Sequence, residues 1–159
     1  MGHVTIRAFT DADRPWTERL LGDDFGGRLQ VRLGSVVDPL ACPGLVAELD
    51  GGPAGILSFD ADGTDVEVVY IEVVAKQQGI GTRLLDALDA RTRAHRLWLV
   101  TTNDNLDALR FYQRRGFRIC DIRPGAVDEA RRTLKPSIAD VGSYGIPIRD
   151  EIVLERIGH

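Results

Sequence analysis

The stretch AKQQGIGTRLL, Ala75 to Leu85, sets Gly79 and Gly81 one residue apart between an apolar run and a segment with helical spacing. Glycine in a regular element costs about 0.5–1 kcal/mol relative to alanine, so two of them ask for a physical reason. A strand that runs into a glycine-containing turn and opens a helix aims unpaired backbone N–H groups at one point, where the helix dipole also favours an anion. Side chains at Gly79 and Gly81 would keep a pyrophosphate from reaching those amides. A GxG also occurs where strand and helix pack tightly, so these residues alone admit either a structural turn or a ligand site. The GxxxxGK[ST] of a P-loop is absent, and Leu84 stands where a Rossmann fingerprint needs a third small residue.

A second stretch, TTNDNLDALRFYQRRGF (Thr101 to Phe117), puts Asn103 and Asn105 at a strand end and Tyr112 two turns along the following helix. Together with QQGIG one helix and one strand earlier, it resembles the GNAT superfamily of acyl-CoA-dependent N-acyltransferases. The family pattern Q/R-x-x-G-x-G/A, which binds the coenzyme A pyrophosphate, falls on Lys76, Gln77, Gln78, Gly79, Ile80 and Gly81, with lysine departing from it at the first position. Lysine keeps a cation near phosphate but lacks the planar fork of arginine and the neutral amide of glutamine. The family's asparagine before a helix that carries Tyr and ends in Gly-Phe matches Asn105, Tyr112, Gly116 and Phe117. The likeness spans about Val66 to Arg118, a third of the chain.

The resemblance implies acetyl-CoA in a cleft between two splayed parallel strands, here Val66 to Val74 and Leu97 to Thr101. The cofactor-binding residues it implies are Val73, Val74, Gln77, Gln78, Gly79, Ile80, Gly81, Thr82, Asn105 and Tyr112. An acceptor amine attacks the thioester carbonyl directly, a backbone N–H of Val73 or Val74 polarises that oxygen, and Tyr112 donates a proton toward the leaving sulfur. Glu72 is the candidate base, because a carboxylate in an otherwise apolar central strand is expensive unless paired or useful. Glu67 is its rival, five positions away and so expected on the opposite face. An ion pair to a flanking arginine remains the alternative for each glutamate, a core aromatic for Tyr112 and a plain helix cap for Asn105. Trp16 and Tyr144 are candidates for acceptor contacts, and Arg131, Arg132 and Lys135 read as a solvated face.

The implied activity is acetyl transfer from acetyl-CoA to a small-molecule or peptidyl amine without a metal. The alternative on the same fold is a non-catalytic acyl-CoA-binding or sensor protein. Acceptor pockets in the family are often completed by a second subunit, so a homodimer is among the expectations.

The elements that must position these residues follow from periodicity. Val4 to Phe9 alternates as a half-buried strand, and Asp11 to Pro15 offers caps for a helix through Leu21. Leu29, Val31 and Leu33 alternate with arginine and glutamine as an extended segment before the Pro39 and Pro43 loop. Runs at Leu45 to Leu49, Ala54 to Phe59 and Val66 to Val74, joined by DGGP and DADGTD, make an antiparallel meander with the last strand central. A helix to about His95, the strand Leu97 to Val100, a helix over Leu106, Leu109 and Tyr112, and a strand Phe117 to Ile122 come next. AVDEARRTL reads as a short helix, KPSIADVGSYGIP as a loop and EIVLERI as a final strand. The fold class expected is mixed α/β: a GNAT-like, largely antiparallel sheet with one splayed parallel pair and flanking helices, in a single domain over residues 1–159.

Composition sets the frame. The 159 residues carry a net charge of -4 with both signs interspersed, which excludes the basic excess of a general duplex-binding protein. The longest apolar stretch, Val68 to Ala75, falls short of the ~20 residues that span a bilayer, and the N-terminus lacks a signal-peptide pattern. A cytoplasmic protein is expected, with Cys42 and Cys120 as free thiols rather than zinc ligands. The histidines, His3, His95 and His159, offer no catalytic pairing.

Overall fold

In the computed structural model, which describes residues 2–22 and 28–158, the strands and helices fall close to the sequence expectations. In chain order they are β1 (Val4–Ala8), α1 (Arg14–Gly22), β2 (Gln30–Arg32), β3 (Ser35–Val37), β4 (Gly44–Leu49), β5 (Gly52–Asp62), β6 (Asp65–Val73), α2 (Ile80–Thr92), β7 (Arg96–Thr102), α3 (Leu106–Gln113), β8 (Arg118–Arg123), α4 (Ala126–Thr133) and β9 (Glu151–Ile157). The chain divides into two compact units, one of Met1–Leu20, Pro39–Leu97 and Ile157–His159, the other of Leu21–Asp38 and Trp98–Arg156. Both mix antiparallel strands with helices, as the expected α/β class requires.

In the first unit β1, β4, β5 and β6 lie side by side, and each neighbouring pair is antiparallel. Asp50 and Gly51, at φ 52° and 86°, make the tight turn from β4 to β5; an Asp-Gly pair suits the left-handed backbone that a two-residue hairpin needs. Helix α2 buries Ile80, Leu84, Leu85 and Leu88. It reaches the sheet over Gly55, where a Cβ would stand 2.8 Å from Ile80 Cγ2 and 3.3 Å from Leu84 Cδ1. No side chain fits there without pushing the helix away.

The expectation that Glu67 and Glu72 face opposite sides is corrected. Ser58 pairs with Tyr70 and Phe59 with Val68, which leaves Val69 as an extra residue in β6. Such a bulge restores parity. Glu67 stands opposite Asp60 and Glu72 opposite Ile56, two residues four apart on β5, so both glutamates lie on the face away from Gly55 and α2.

On that face Arg7 joins β1 to the start of α1. Its guanidinium donates to both carboxylate oxygens of buried Asp13 at 2.8 Å, and its Nε donates to Glu48 at 3.0 Å. Asp13 also accepts from the Thr10 N–H at 2.8 Å. The Arg7 hydrogen bond holds the Asp13 carboxyl below the usual carboxylate range, against the opposing effect of burial.

In the second unit β9 lies between β7 and β8, and its pairing with β8 is antiparallel. The expected extended segment Leu29 to Leu33 is shorter than its alternation suggests. Leu33 and Gly34, at φ 51° and 74°, turn β2 back into β3. The Leu33 N–H donates to the buried Glu151 carboxylate at 3.1 Å, and burial pushes that carboxyl up from its ordinary pKa. No helix among the described residues is long and apolar enough to cross a membrane.

Asp13→Asn should lower the unfolding free energy by about 1–2 kcal/mol at pH 7. A carboxyl with a depressed folded pKa contributes fully above its unfolded value, about 3.9, and loses that contribution as pH falls through the folded value. Denaturant melts at neutral and acid pH should therefore show the gap between wild type and variant closing below about pH 4.

Candidate active site

At the end of β6 the Val74 N–H donates to Ala54 O at 2.9 Å, and the Ala75 N–H to the same oxygen at 3.5 Å. Pairing with β5 thus runs one residue past the strand. Alternation then points the N–H of Val73, which stands opposite Gly55, away from β5. Of the two expected oxyanion donors, Val74 is committed to Ala54, and Val73 has the outward direction.

The chain next turns through Gln77 at φ 62° and Gly79 at φ 72° into α2. Gly79 is the N-cap and brings no side chain to the N–H groups of the first turn; its carbonyl accepts from the Arg83 N–H at 3.1 Å. A Cβ on Gly79 would meet nothing within 4 Å, so the glycine serves its left-handed backbone and the space above it is open. Gln77 and Gly79 are exposed, Gln78 and Thr82 half-buried, Ile80 and Gly81 buried. An exposed helix start without an N-cap side chain suits a phosphate group. The Lys76 Nζ lies 3.7 Å from Glu72 Oε1. Glu72 is therefore a half-exposed, ion-paired carboxylate, whereas Glu67 is buried.

In the second unit Tyr112 is buried, with edge-on contacts to Phe111 and Phe117 at ring-centroid separations of 5.1 and 5.3 Å. The N–H of Phe117 returns to Tyr112 O at 3.1 Å, a closure that Gly116 permits by taking φ 89°. Burial raises the Tyr112 pKa well above the ordinary phenol value, so the hydroxyl stays protonated. Asn105 acts as the cap: its Oδ1 accepts from the Ala108 N–H and its Nδ2 donates to Thr101 Oγ1, both at 3.2 Å. Both ends of that side-chain amide thus serve the fold.

The basic cluster is tied down within this unit. Arg131 donates to the carbonyls of Ile138, Ala139 and Ile148, Lys135 donates to Leu29 O at 2.6 Å, and Arg132 pairs with Glu129. Tyr144 is 68% exposed at φ 59°, and its hydroxyl donates to Asp107 Oδ1 at 2.5 Å. Trp16, in the first unit, is half-buried on α1. No group of three His, Cys, Asp or Glu side chains among the described residues is arranged to hold a metal ion, and His159 lies outside those residues.

The sequence reading places Asn103 at a strand end but does not show that it and Asp104 tether a distant segment. Asn103 Oδ1 accepts from the N–H groups of Arg149 and Asp150 at 2.9 and 3.0 Å, while its Nδ2 donates to Pro147 O at 2.9 Å. Buried Asp104 accepts from Thr102 Oγ1 at 2.5 Å and from the Ser143 N–H at 2.9 Å. Together they hold residues 142–150 onto the start of α3. Their partners stand about forty residues away in sequence, so cap chemistry was the visible signal in NDN.

Residues 42–119 match the family described as Acetyltransferase (GNAT) domain. The Bacillus subtilis protein YdhI is 40% identical over 121 residues, covering 69% of this chain and 75% of its own. An IAA acetyltransferase from Bacillus cereus superposes with a TM-score of 0.70 at 21% identity, covering 98% of this chain and 99% of the other. A GNAT family acetyltransferase from Elizabethkingia anophelis, solved with acetyl-CoA bound, does so with the same score and identity over 97% of both chains. The solved structures share the fold.

Asp104→Ala should speed backbone hydrogen exchange in residues 142–146 by roughly tenfold or more while leaving α2 unchanged, because it removes the carboxylate that holds the Ser143 amide. Hydrogen exchange read by mass spectrometry checks this; equal protection in variant and wild type would contradict the anchoring role.

Proposed function

The chain belongs to the GNAT acetyltransferase family, and on that premise we propose that it transfers an acyl group, most simply acetyl, from acyl-coenzyme A to a primary amine. The observation that carries the reading is the start of α2, where a left-handed Gly79 with open space above it leaves the first-turn amides without an N-cap side chain. A diphosphate suits that donor set in charge. The Elizabethkingia relative, solved with acetyl-CoA bound, supports the choice of ligand. A cytoplasmic setting is part of the same proposal.

The residues take these roles in the proposal. Main-chain amides from Gln78 to Thr82 hold the pyrophosphate. When bound, acetyl-CoA supplies a thioester whose carbonyl carbon the neutral amine attacks. The Val73 N–H, directed away from β5, donates to the carbonyl oxygen as it gains charge. Glu72 takes the proton the amine must lose, directly or through water. Tyr112, held protonated by burial, donates to sulfur as the carbon–sulfur bond breaks. Asn105 shapes the site as the cap that starts the helix carrying Tyr112. The net charge of -4 mildly favours a cationic acceptor by steering.

Calorimetry should find acetyl-CoA binding in the micromolar range, lost in Gly81→Glu and in Gly79→Asp, whose side chain meets no core atom although its backbone must hold a left-handed φ that strains it. Tyr112→Phe should bind acetyl-CoA as wild type does yet transfer acetyl roughly a hundredfold more slowly, read by product mass spectrometry across an amine panel. Binding without transfer to any amine would mark a non-catalytic acyl-CoA-binding protein; unchanged binding in both glycine variants would remove the site.

A further inference from the structure

Strands β2 and β3 pair with each other in a two-stranded sheet of their own. A hairpin of this kind is marginal unless its apolar face is covered. Val31 stands directly opposite Val36, so the two share a face, and alternation puts Leu29 on it as well. That face is open: Leu29 is 46% and Val36 49% exposed, and Leu134, just past α4, is 41% exposed. These four apolar side chains, with Arg28 and Lys135, line a groove of about 280 Å³, just below the roughly 300–1,000 Å³ of most small-molecule sites.

The groove carries charge beside its apolar surface. Arg28 Nε donates to Asp38 Oδ1 at 2.9 Å, a pair that ties the two ends of the hairpin together and is neutral overall. Lys135 Nζ donates to Leu29 O at 2.6 Å, which holds the ammonium at the groove wall. Burial disfavours the charged form of Lys135 and lowers its pKa. An ammonium that has lost part of its hydration gains more from an arriving anion than a fully solvated one does. The wall itself is preformed, because the Leu33 N–H at the hairpin turn is held by the buried Glu151 carboxylate.

We propose that this groove binds a short alkyl carboxylate, its chain laid along Leu29, Val31, Val36 and Leu134 and its carboxylate on the Lys135 ammonium. The two halves of the groove select for the two halves of that ligand. Each methylene withdrawn from water adds affinity, so the apolar wall reads chain length. The ammonium reads charge: an alkylammonium meets a like charge there, and a neutral alcohol lacks the charge-assisted hydrogen bond. The groove uses none of the residues given roles in acetyl transfer, so this is a second binding function of the chain.

Calorimetric titration of the full chain with octanoate, hexanoate, octylamine and octanol tests this. Octanoate should bind saturably, with a dissociation constant in the millimolar range or tighter, and hexanoate more weakly. Octylamine and octanol should each bind roughly tenfold or more below octanoate. Lys135→Met should weaken octanoate by a similar factor and leave octanol unchanged. Val36→Glu, at an exposed position, should weaken octanoate and Val36→Lys should tighten it, with circular dichroism confirming that both are folded; these two variants decide the matter even if Lys135→Met does not fold. Absence of saturable octanoate binding, octanol or octylamine bound as tightly as octanoate, or an affinity indifferent to both Val36 variants would overturn the proposal.

Discussion

The bare backbone at Gly55 is the constraint on which the first unit depends. Ile80 and Leu84 occupy the volume a side chain would take there, so α2 can lie against β5 in one position along the strand. Gly55 is also the residue opposite Val73. One missing Cβ therefore registers the start of α2 against the end of β6. The first-turn amides of α2 and the outward Val73 N–H are held in place by this packing. A core contact of this kind is stiff, because displacing it means opening a cavity or forcing an overlap.

Tyr112 is positioned on different principles. Its ring is held by aromatic edges, and its carbonyl receives the chain as it turns back at Phe117. Burial then keeps the phenol protonated, since an ionised phenolate would have to be desolvated while the neutral acid need not be. Around the start of α3 the polar side chains are spent on structure. Asn103, Asp104 and Asn105 between them satisfy backbone groups of the 142–150 segment and of the helix itself. Short side chains with both donors and acceptors suit that task.

The meander of β4, β5 and β6 was legible because DGGP and DADGTD punctuate three apolar runs, and α2 because glycine gives way to leucines at helical spacing. The left-handed turn at Gly79 that opens α2 was legible for the same reason, as a local glycine signal. What hid was non-local. The bulge at Val69 reverses side-chain parity and brings Glu67 to the face of Glu72, yet VEVVYIEV shows nothing of it, since a bulge is defined by the partner strand. Likewise the alternation of Leu29, Val31 and Leu33 looks like one strand. The turn at Leu33 and Gly34 is anchored by the buried Glu151 carboxylate, 118 residues on. Val74 as a donor failed similarly, because its acceptor, Ala54, belongs to another strand.

The central claim is that main-chain amides at the start of α2 receive an anion. Titrating coenzyme A into isotope-labelled protein and following backbone amide shifts tests it without any substitution. The account predicts the largest saturable perturbations at Gly79, Ile80, Gly81 and Thr82, weakened when inorganic pyrophosphate is added as competitor. Perturbations that leave those four amides unmoved while the ligand binds elsewhere would contradict it.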